Sequence, residues 1–239
     1  MSAGLMTPET RLLLAKAGIF DSFSSTLKIP LSVIEIIHTS AWALDEFLKE
    51  RPVVFMNKLD KRHTYIASGE YLKYLRLFHE DPAVVKFHMF LLTMIATQET
   101  VIDVGCGCGF TGWPFAVRGS QVSFHDFEGL GLEFIRQWSH RMNFSTQVLA
   151  YGHSGTGHDW ALAFDVLEHT GNHLGAIKWL RQLGEKVALC YPIQVEHQPP
   201  YAEGLDEWVD DEAIGWMLNR RYRVLESYVE NGRRFLIYT

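Results

Sequence analysis

The stretch "VIDVGCGCGFTGWPF", from Val101 to Phe115, decides the fold of this sequence. Four glycines separate an apolar run typical of a strand from an apolar segment typical of a helix. A glycine-rich turn between a strand and a helix lets a ligand approach the backbone without interference from Cβ atoms. The helix N-terminus adds unpaired N–H groups and the positive end of its dipole. The glycines can be counted as G-x-G-x-G from Gly105 or as G-x-G-x-x-G from Gly107, so an adenosyl cofactor and a dinucleotide both remain open.

Two acidic residues near the glycines bear on this choice. Asp103 lies two residues before Gly105, where a negative charge would repel a pyrophosphate and attract a cationic amino group. Asp126 ends the next predicted strand, and a carboxylate there can accept hydrogen bonds from the ribose hydroxyls of either cofactor. Asp103 therefore favours an adenosyl cofactor that carries an amino-acid end.

Short apolar runs alternate with helical segments after residue 100, a pattern that predicts an α/β fold with a parallel sheet. The last two runs, "YRVLESYV" and "RRFLIYT", are joined across Asn231-Gly232, which is a strong hairpin signal. A nicotinamide enzyme usually needs a second half-sheet or substrate domain, and little chain remains for one. The sequence thus predicts a parallel sheet that ends in an antiparallel pair.

The first part of the chain has mostly helical patterns. One predicted helix ends before Asp81-Pro82, and the next begins at that proline, a residue well suited to a first helical turn. This part also contains three tyrosines that could line a pocket, although aromatic residues at such spacing are more often core residues: Tyr65, Tyr71 and Tyr74.

Three stretches of the sequence resemble, in order, the first, second and fourth motifs of the class I S-adenosylmethionine (SAM)-dependent methyltransferases. They are "DVGCGCG" (Asp103 to Gly109), "VSFHDFEG" (Val122 to Gly129) and "AFDVLEH" (Ala163 to His169). The resemblance covers approximately Gln98 to Thr239. It implies a Rossmann-like three-layer sandwich with a seven-stranded, mostly parallel sheet and a terminal antiparallel hairpin. We expect residues 97–239 to form the SAM-binding domain and residues 1–96 to form a helical cap that binds the substrate.

The resemblance also implies roles for individual residues. Asp103 would hold the amino group of the methionine moiety, and Gly105, Cys106 and Gly107 would let the backbone pass against the methionine and ribose. Asp126 would bind the ribose hydroxyls. The remaining contacts implied are Phe127 with adenine and the backbone of Asp165 with the methionine end. Many relatives place an acidic residue near the adenine amino group, where this chain has "YGHSGTGH", so we assign adenine recognition there to the backbones of Gly152 and His153.

Methyl transfer to a hydroxyl or amine requires removal of a proton, for which histidine is the usual group. Two histidines follow predicted strands on the expected substrate side, His169 and His197, and Glu168 could orient or polarise either of them. His169 could instead cap the following helix or pack beneath the pocket. The pair Cys106 and Cys108 lacks the second ligand pair that zinc requires, and no metal is predicted.

Composition and net charge restrict the class of molecule that the protein is expected to bind. The chain has 239 residues and a net charge of −6, and all of the excess acidity lies after residue 100. This balance and the absence of a basic face disfavour nucleic acid and favour a small molecule or peptide.

The sequence shows no long apolar run and no signal peptide, and its three cysteines have no framework spacing, so we expect a cytoplasmic protein without a membrane segment. The aromatic and proline-rich stretch Tyr191–Trp208 would form a lid. The oligomeric state is not readable from the sequence.

Three functions follow in order of preference. The first is a SAM-dependent methyltransferase whose acceptor is a small molecule or a peptide. The second is a protein of the same fold that binds a ligand or catalyses a different reaction. The third is an NAD(P)-dependent oxidoreductase, which the G-x-G-x-x-G count allows and Asp103 disfavours.

Overall fold

The computed structural model describes residues 33–49, 69–152, 156–193 and 209–239. Several sequence predictions therefore lie outside the described residues. They concern the helix predicted from Thr7, the side chains of Tyr65, Tyr71 and Tyr74, the site residues His153 and His197, and most of the predicted lid.

Helices and strands alternate over most of the described chain after residue 100, as the sequence predicts, and the helix at residues 211–221 was not predicted. The helices are α1 (Val33–Lys49), α2 (Gly69–His79), α3 (Pro82–Met94), α4 (Trp113–Arg118), α5 (Leu130–Met142), α6 (His173–Leu183) and α7 (Asp211–Arg221). The strands are β1 (Thr100–Val104), β2 (Gln121–Asp126), β3 (Thr146–Ala150), β4 (His158–Phe164), β5 (Gly184–Pro192), β6 (Val224–Glu230) and β7 (Arg233–Tyr238).

The strands form one seven-stranded sheet in the order β3-β2-β1-β4-β5-β7-β6. The first five strands pair in parallel, and β7 pairs antiparallel with both β5 and β6. Asn231 and Gly232 both have positive φ values, 51° and 71°, as a tight primed turn between twisted strands requires. The predicted fold class, including the terminal hairpin, is confirmed.

The break between α2 and α3 has a local chemical cause. The side chain of Asp81 accepts a hydrogen bond of 2.8 Å from the backbone N–H of Ala83, which caps α3. Pro82 has no N–H to leave unpaired in the first turn. The boundary predicted at Asp81-Pro82 is therefore correct.

Two apolar layers cover the sheet. Helices α1, α3, α4 and α5 pack against one face, where Phe87, Phe124 and Phe235 are fully buried. Helices α6 and α7 cover the other face. Because side chains alternate along a strand, Asp103 projects towards the same face as Val101, the face that carries α3 and α4. Burial of one such phenylalanine contributes about 2–3 kcal/mol, so these layers fix the ends of the strands firmly.

The connection from β3 to β4 is unusually short, since only residues 151–157 separate the two strands. Parallel strands are normally joined by a dozen or more residues that include a helix. In this protein β2 and β1 lie between the two connected strands. The connection therefore has no room for a covering helix of ordinary length beside β2 and β3.

None of the helices in the described part of the chain combines the length and the apolar character that a membrane span requires.

Candidate functional site

The glycine loop begins directly after β1. Gly105, Gly107 and Gly109 all have positive φ values, 65°, 53° and 84°, a conformation that favours glycine. A Cβ atom at Gly105 would lie 2.6 Å from a methyl group of Val166, and one at Gly107 would lie 2.5 Å from Leu75. The loop therefore needs glycine both for its backbone conformation and for the close approach of its neighbours.

Asp103 is buried under this loop, with 1% of its surface exposed. Neither of its carboxylate oxygens has a hydrogen-bond partner of good geometry among the described residues. Burial raises the pKa of Asp103 well above its ordinary value, the N–H of Gly112 lowers it, and the nearby charge of Asp126 raises it again. A buried carboxyl group with only this weak backbone partner is costly, so the site is short of a hydrogen-bond donor or a cation.

Asp126 is held differently, although it lies on the adjacent strand. One carboxylate oxygen accepts the N–H of Gly107 and the other accepts the N–H of Phe127, both at 2.6 Å. Burial raises the pKa of Asp126, and these two N–H groups lower it. Each oxygen of a carboxylate has two lone pairs, so each retains one for a further donor such as a hydroxyl.

An aromatic pair lies beside Asp126. The rings of Phe127 and Tyr151 are 4.7 Å apart and are tilted by 33°. Both side chains are unusually exposed for their size, at 38% for Phe127 and 63% for Tyr151. Gly152 follows with a φ of 98°. These residues present a flat apolar surface at the ends of β2 and β3.

The carboxyl end of β4 contains a strained turn. Asp165 has a φ of 58°, which is uncommon for a residue other than glycine. Its N–H donates to the carbonyl oxygen of Cys190 at 2.9 Å, and its carboxylate accepts a hydrogen bond of 3.0 Å from Nη1 of Arg233. The next residue, Val166, packs against Gly105. The turn after β4 therefore contacts the glycine loop.

Comparison with known proteins is informative only at the level of structure, since neither a protein-family model nor a curated protein matches the sequence. Magnesium protoporphyrin IX methyltransferase (ChlM) from Synechocystis PCC 6803, solved with bound S-adenosylhomocysteine (SAH), is 16% identical with a TM-score of 0.58. That match covers 93% of this chain and 98% of the other. A SAM-dependent methyltransferase from Aquifex aeolicus is 16% identical with a TM-score of 0.53, over 71% of this chain and 96% of that one. TehB from Haemophilus influenzae is 14% identical with a TM-score of 0.53, over 71% of this chain and 65% of that one.

The chain has the class I SAM-dependent methyltransferase fold. Within this methyltransferase fold, the described residues among those predicted to bind the cofactor lie at the carboxyl ends of β1, β2, β3 and β4. They are Asp103, Gly105, Cys106, Gly107, Asp126, Phe127, Gly152 and Asp165. Their assignment to a cofactor stays a prediction.

The predicted catalytic residues Glu168 and His169 lie in a 3-10 turn that follows β4 of the methyltransferase fold. Glu168 is 3% exposed, whereas His169 is exposed to solvent. Burial raises the pKa of Glu168 well above its ordinary value, and the charge of Asp165 and a hydrogen bond with it raise it further. The exposure of His169 does not fit the alternative in which this side chain packs beneath the pocket.

Asp165, Glu168 and His169 are close enough to share a metal ion, because one ligand atom from each lies within 4.8 Å of the other two. Arg233 already donates to Asp165 in this group and would compete with a metal for the same carboxylate. The positive charge beside these three residues is thus already supplied by the guanidinium of Arg233.

Two buried histidines and a half-buried arginine near this turn were not found from the sequence: His79, His88 and Arg233. The guanidinium of Arg233 lies 4.3 Å from the centre of the Phe78 ring, and the His79 ring is 5.7 Å from that of His88. They come from α2, α3 and β7, and no motif connects them. An isolated histidine or arginine carries no local sequence signal that distinguishes it from a surface residue.

Proposed function

We propose that this protein is a SAM-dependent methyltransferase that acts on a small-molecule or peptide acceptor. The observation that supports this most strongly is the state of Asp103, a buried carboxyl group under a glycine loop whose two oxygens lack a hydrogen-bond partner of good geometry among the described residues. The amino group of a methionine moiety would supply the missing cation and the missing donors. A pyrophosphate would supply neither.

The other residues around the loop fit the same cofactor. Each Asp126 oxygen retains a lone pair for a ribose hydroxyl, and the exposed ring of Phe127 offers a surface for adenine. Val166 packs against Gly105 and Leu75 packs against Gly107, so the backbone of the glycine loop is held in place next to the end of β1. Asp165 has already donated its N–H to Cys190, so its backbone would contact the methionine end through its carbonyl oxygen.

SAM supplies an electrophilic methyl group, and the chain must orient the acceptor and remove a proton where the acceptor carries one. Glu168 and His169 lie at the end of β4, next to the turn that contacts the glycine loop. They are proposed as the groups that position the acceptor or take its proton. His197 remains a third candidate for the same role.

Calorimetric titration with SAM, SAH, NAD and NADP tests the proposed cofactor. We expect SAM and SAH to bind and the nicotinamide cofactors not to bind. Asp103→Asn keeps the shape of the side chain and removes its charge. It is the matched variant for the charge, and we expect it to weaken the binding of SAM. Binding of NAD without any response to SAM would refute the proposal in favour of an oxidoreductase.

A second function, ligand binding or another reaction on the same fold, is favoured by the short connection between β3 and β4. That connection leaves few residues to enclose adenine. Transfer of a radiolabelled methyl group from SAM to a panel of small molecules and peptides separates the two functions. Tight SAM binding with no acceptor among compounds of every nucleophile class would support the second.

A further inference from the structure

Three buried polar side chains near the end of β4 each have an atom with no hydrogen-bond partner of good geometry among the described residues. These atoms are Nδ1 of His79, Nε2 of His88 and Oε2 of Glu168. The exposed fractions of the three side chains are 6%, 0% and 3%. Buried polar groups in folded proteins are almost always hydrogen-bonded, so three such atoms in one region indicate a missing polar partner.

Arg233 connects the three groups. Its guanidinium lies 4.3 Å from the centre of the Phe78 ring, which contacts the His79 ring, and it donates to the carboxylate of Asp165, which lies beside Glu168. The same positive charge lowers the pKa of both His79 and Glu168. The His79 ring lies 5.7 Å from the His88 ring, which in turn lies 4.9 Å from the ring of Phe164, the last residue of β4. The three atoms without partners therefore belong to one cluster, which we call the Arg233 cluster: His79, His88, Asp165, Glu168 and Arg233.

The Arg233 cluster borders the proposed cofactor site. The His79 ring lies 5.5 Å from the ring of Phe110, which directly follows Gly109 in the glycine loop. On the other side, Val166 follows Asp165 and packs against Gly105. A group bound in the cluster would thus lie between the glycine loop and the turn after β4.

Two of the three atoms are hydrogen-bond acceptors. Burial lowers the pKa of His88 to about 4, so its ring is neutral near pH 7 and carries one N–H. Nδ1 lies 3.1 Å from the carbonyl oxygen of Val84 and donates its hydrogen there, which leaves Nε2 with a lone pair. The carbonyl of Thr111 is a second acceptor beside the same ring. The proton of Glu168 is shared with Asp165, so the rest of that carboxyl group can only accept.

The charge of the cluster also restricts its ligand. Asp165 and Arg233 form a neutral pair, in which the guanidinium already stacks on the Phe78 ring. A carboxylate or phosphate would bring further acceptors towards Nε2 of His88 and the Glu168 oxygen, and would find the nearest cation engaged. A hydroxyl or a neutral N–H group would instead donate to these acceptors, and the neutral ring of His79 could adopt the tautomer that the ligand requires.

We propose that the Arg233 cluster recognises the methyl acceptor, and that this acceptor presents a neutral hydrogen-bond donor, a hydroxyl or an amine, rather than a carboxylate or a phosphate. The inference rests on the proposed function, because it assigns the acceptor side of the same site. The Phe78, Phe110 and Phe164 rings around the cluster favour an aromatic molecule that carries this donor.

The test uses the full chain loaded with SAH, whose binding is first established by calorimetry. The probes are p-cresol, aniline and benzoate, which share a six-membered aromatic ring and differ in the polar group. The imidazole resonances of His79 and His88 report binding in heteronuclear NMR spectra, and the variants His79→Phe and His88→Phe assign them. We expect p-cresol or aniline to shift both resonances saturably, with benzoate at least tenfold weaker.

Glu168 supplies a matched pair of variants. Glu168→Gln keeps a carbonyl acceptor in place, whereas Glu168→Leu removes it at similar volume. We expect Glu168→Gln to bind the preferred probe as the natural protein does and Glu168→Leu to bind it about tenfold more weakly, a difference of about 1.4 kcal/mol. The thermal unfolding midpoint of each variant shows whether it is folded, and only folded variants are compared.

The outcomes separate this inference from the proposed function. Benzoate binding as tightly as p-cresol and aniline would overturn the inference, and so would the absence of saturable shifts with all three probes. An equal effect of the two folded Glu168 variants would also overturn it. Failure of SAH to bind would count against the proposed function, whereas probe binding to the unloaded protein would still support recognition of a neutral donor by the cluster.

Discussion

Two pockets at the carboxyl edge of the sheet differ in how their carboxyl groups are compensated. At the ends of β1 and β2, Asp103 and Asp126 form no ion pair within the described residues, and Asp126 receives only backbone N–H groups. At the end of β4, Asp165 is paired with Arg233. The first pocket lacks a cation, and the second contains one.

The contrast teaches what each pocket can bind. A buried carboxyl group without a cation either keeps a proton or attracts a positive ligand, and the raised pKa of Asp103 is the first of these states. A pocket whose charges already cancel attracts no ion and selects its ligand by hydrogen bonding. The cationic cofactor and the neutral acceptor proposed above follow from the same electrostatic difference.

Replacement of Asp103 is the most direct way to break this contrast. Asp103→Ala removes the group that would pair with the amino group of SAM. We expect the affinity for SAM to fall about a hundredfold, or about 3 kcal/mol, the upper range for a hydrogen bond to a charged group. Isothermal calorimetry measures it, and unchanged affinity in both Asp103→Ala and Asp103→Asn would refute the placement of the amino group.

The same residue predicts a pH dependence. Burial raises the pKa of Asp103, and a cationic ligand favours the ionised carboxylate. The affinity for SAM should therefore rise as the pH rises through this raised pKa, and binding should release protons below it. Calorimetry in buffers of different ionisation enthalpy counts those protons, and Asp103→Asn should remove this release.

A substitution in α5, which packs against the glycine loop, can displace the loop without a change in charge. A Cβ atom at Gly131 in α5 would collide with the carbonyl oxygen of Gly107, which as backbone cannot turn aside. We expect Gly131→Ala to cost about 2 kcal/mol of unfolding free energy and to weaken SAH binding. Gly215→Ala in α7 is the control, since nothing lies within 4 Å of its Cβ, and it should gain stability because alanine favours a helix. Denaturant titrations that show equal effects for both would contradict the packing.

Asp126 gives a second test of the difference between the two sites, because each of its carboxylate oxygens accepts a backbone hydrogen bond. In Asp126→Asn the amide NH2 must face the N–H of either Gly107 or Phe127, so one donor loses its acceptor. We expect about tenfold weaker SAH binding, or about 1.4 kcal/mol. Glu128→Gln is the control, since that exposed side chain only pairs with Arg136 and should leave the affinity unchanged.

The smallest expected effect concerns the balanced pocket. Burial and Asp165 raise the pKa of Glu168, so the folded state holds this proton more tightly than the unfolded state does. The stability gained from it is complete below the ordinary pKa of glutamate and is lost as the pH rises through the raised value. The glutamine of Glu168→Gln cannot titrate. Between pH 5 and 9 the thermal unfolding midpoint of this variant should therefore fall less than that of the natural protein, by on the order of 2–4 °C. An equal change of the unfolding midpoint with pH in the two proteins across pH 5–9 would contradict this.

Local chemistry explains which parts of the structure were predictable. Asn231-Gly232 specifies its turn through two adjacent residues, and Asp81-Pro82 specifies a helix boundary in the same way. The glycine loop and Asp103 are read from seven consecutive residues. Features of this kind do not depend on how distant parts of the chain pack.

The Arg233 cluster could not be predicted because its members are far apart in the sequence. His79 and Arg233 meet only when α2 packs against the hairpin that contains β7. The left-handed backbone of Asp165 is likewise a result of tertiary bonding to Cys190 and Arg233, and its sequence, "FDVLEH", gives no sign of it. The short connection after β3 is visible in the sequence only as a missing helix pattern.

The position of β7 between β5 and β6 has a consequence for synthesis on the ribosome. β5 pairs with β4 as soon as both have emerged, but its other edge stays open until β7, the last strand in chain order, has been made. An open strand edge rich in apolar residues readily pairs with other chains. Until β7 has been made, this edge of β5 is available for pairing with other chains, and the β7 residue Arg233 supplies the cation for Asp165 when β7 closes the edge.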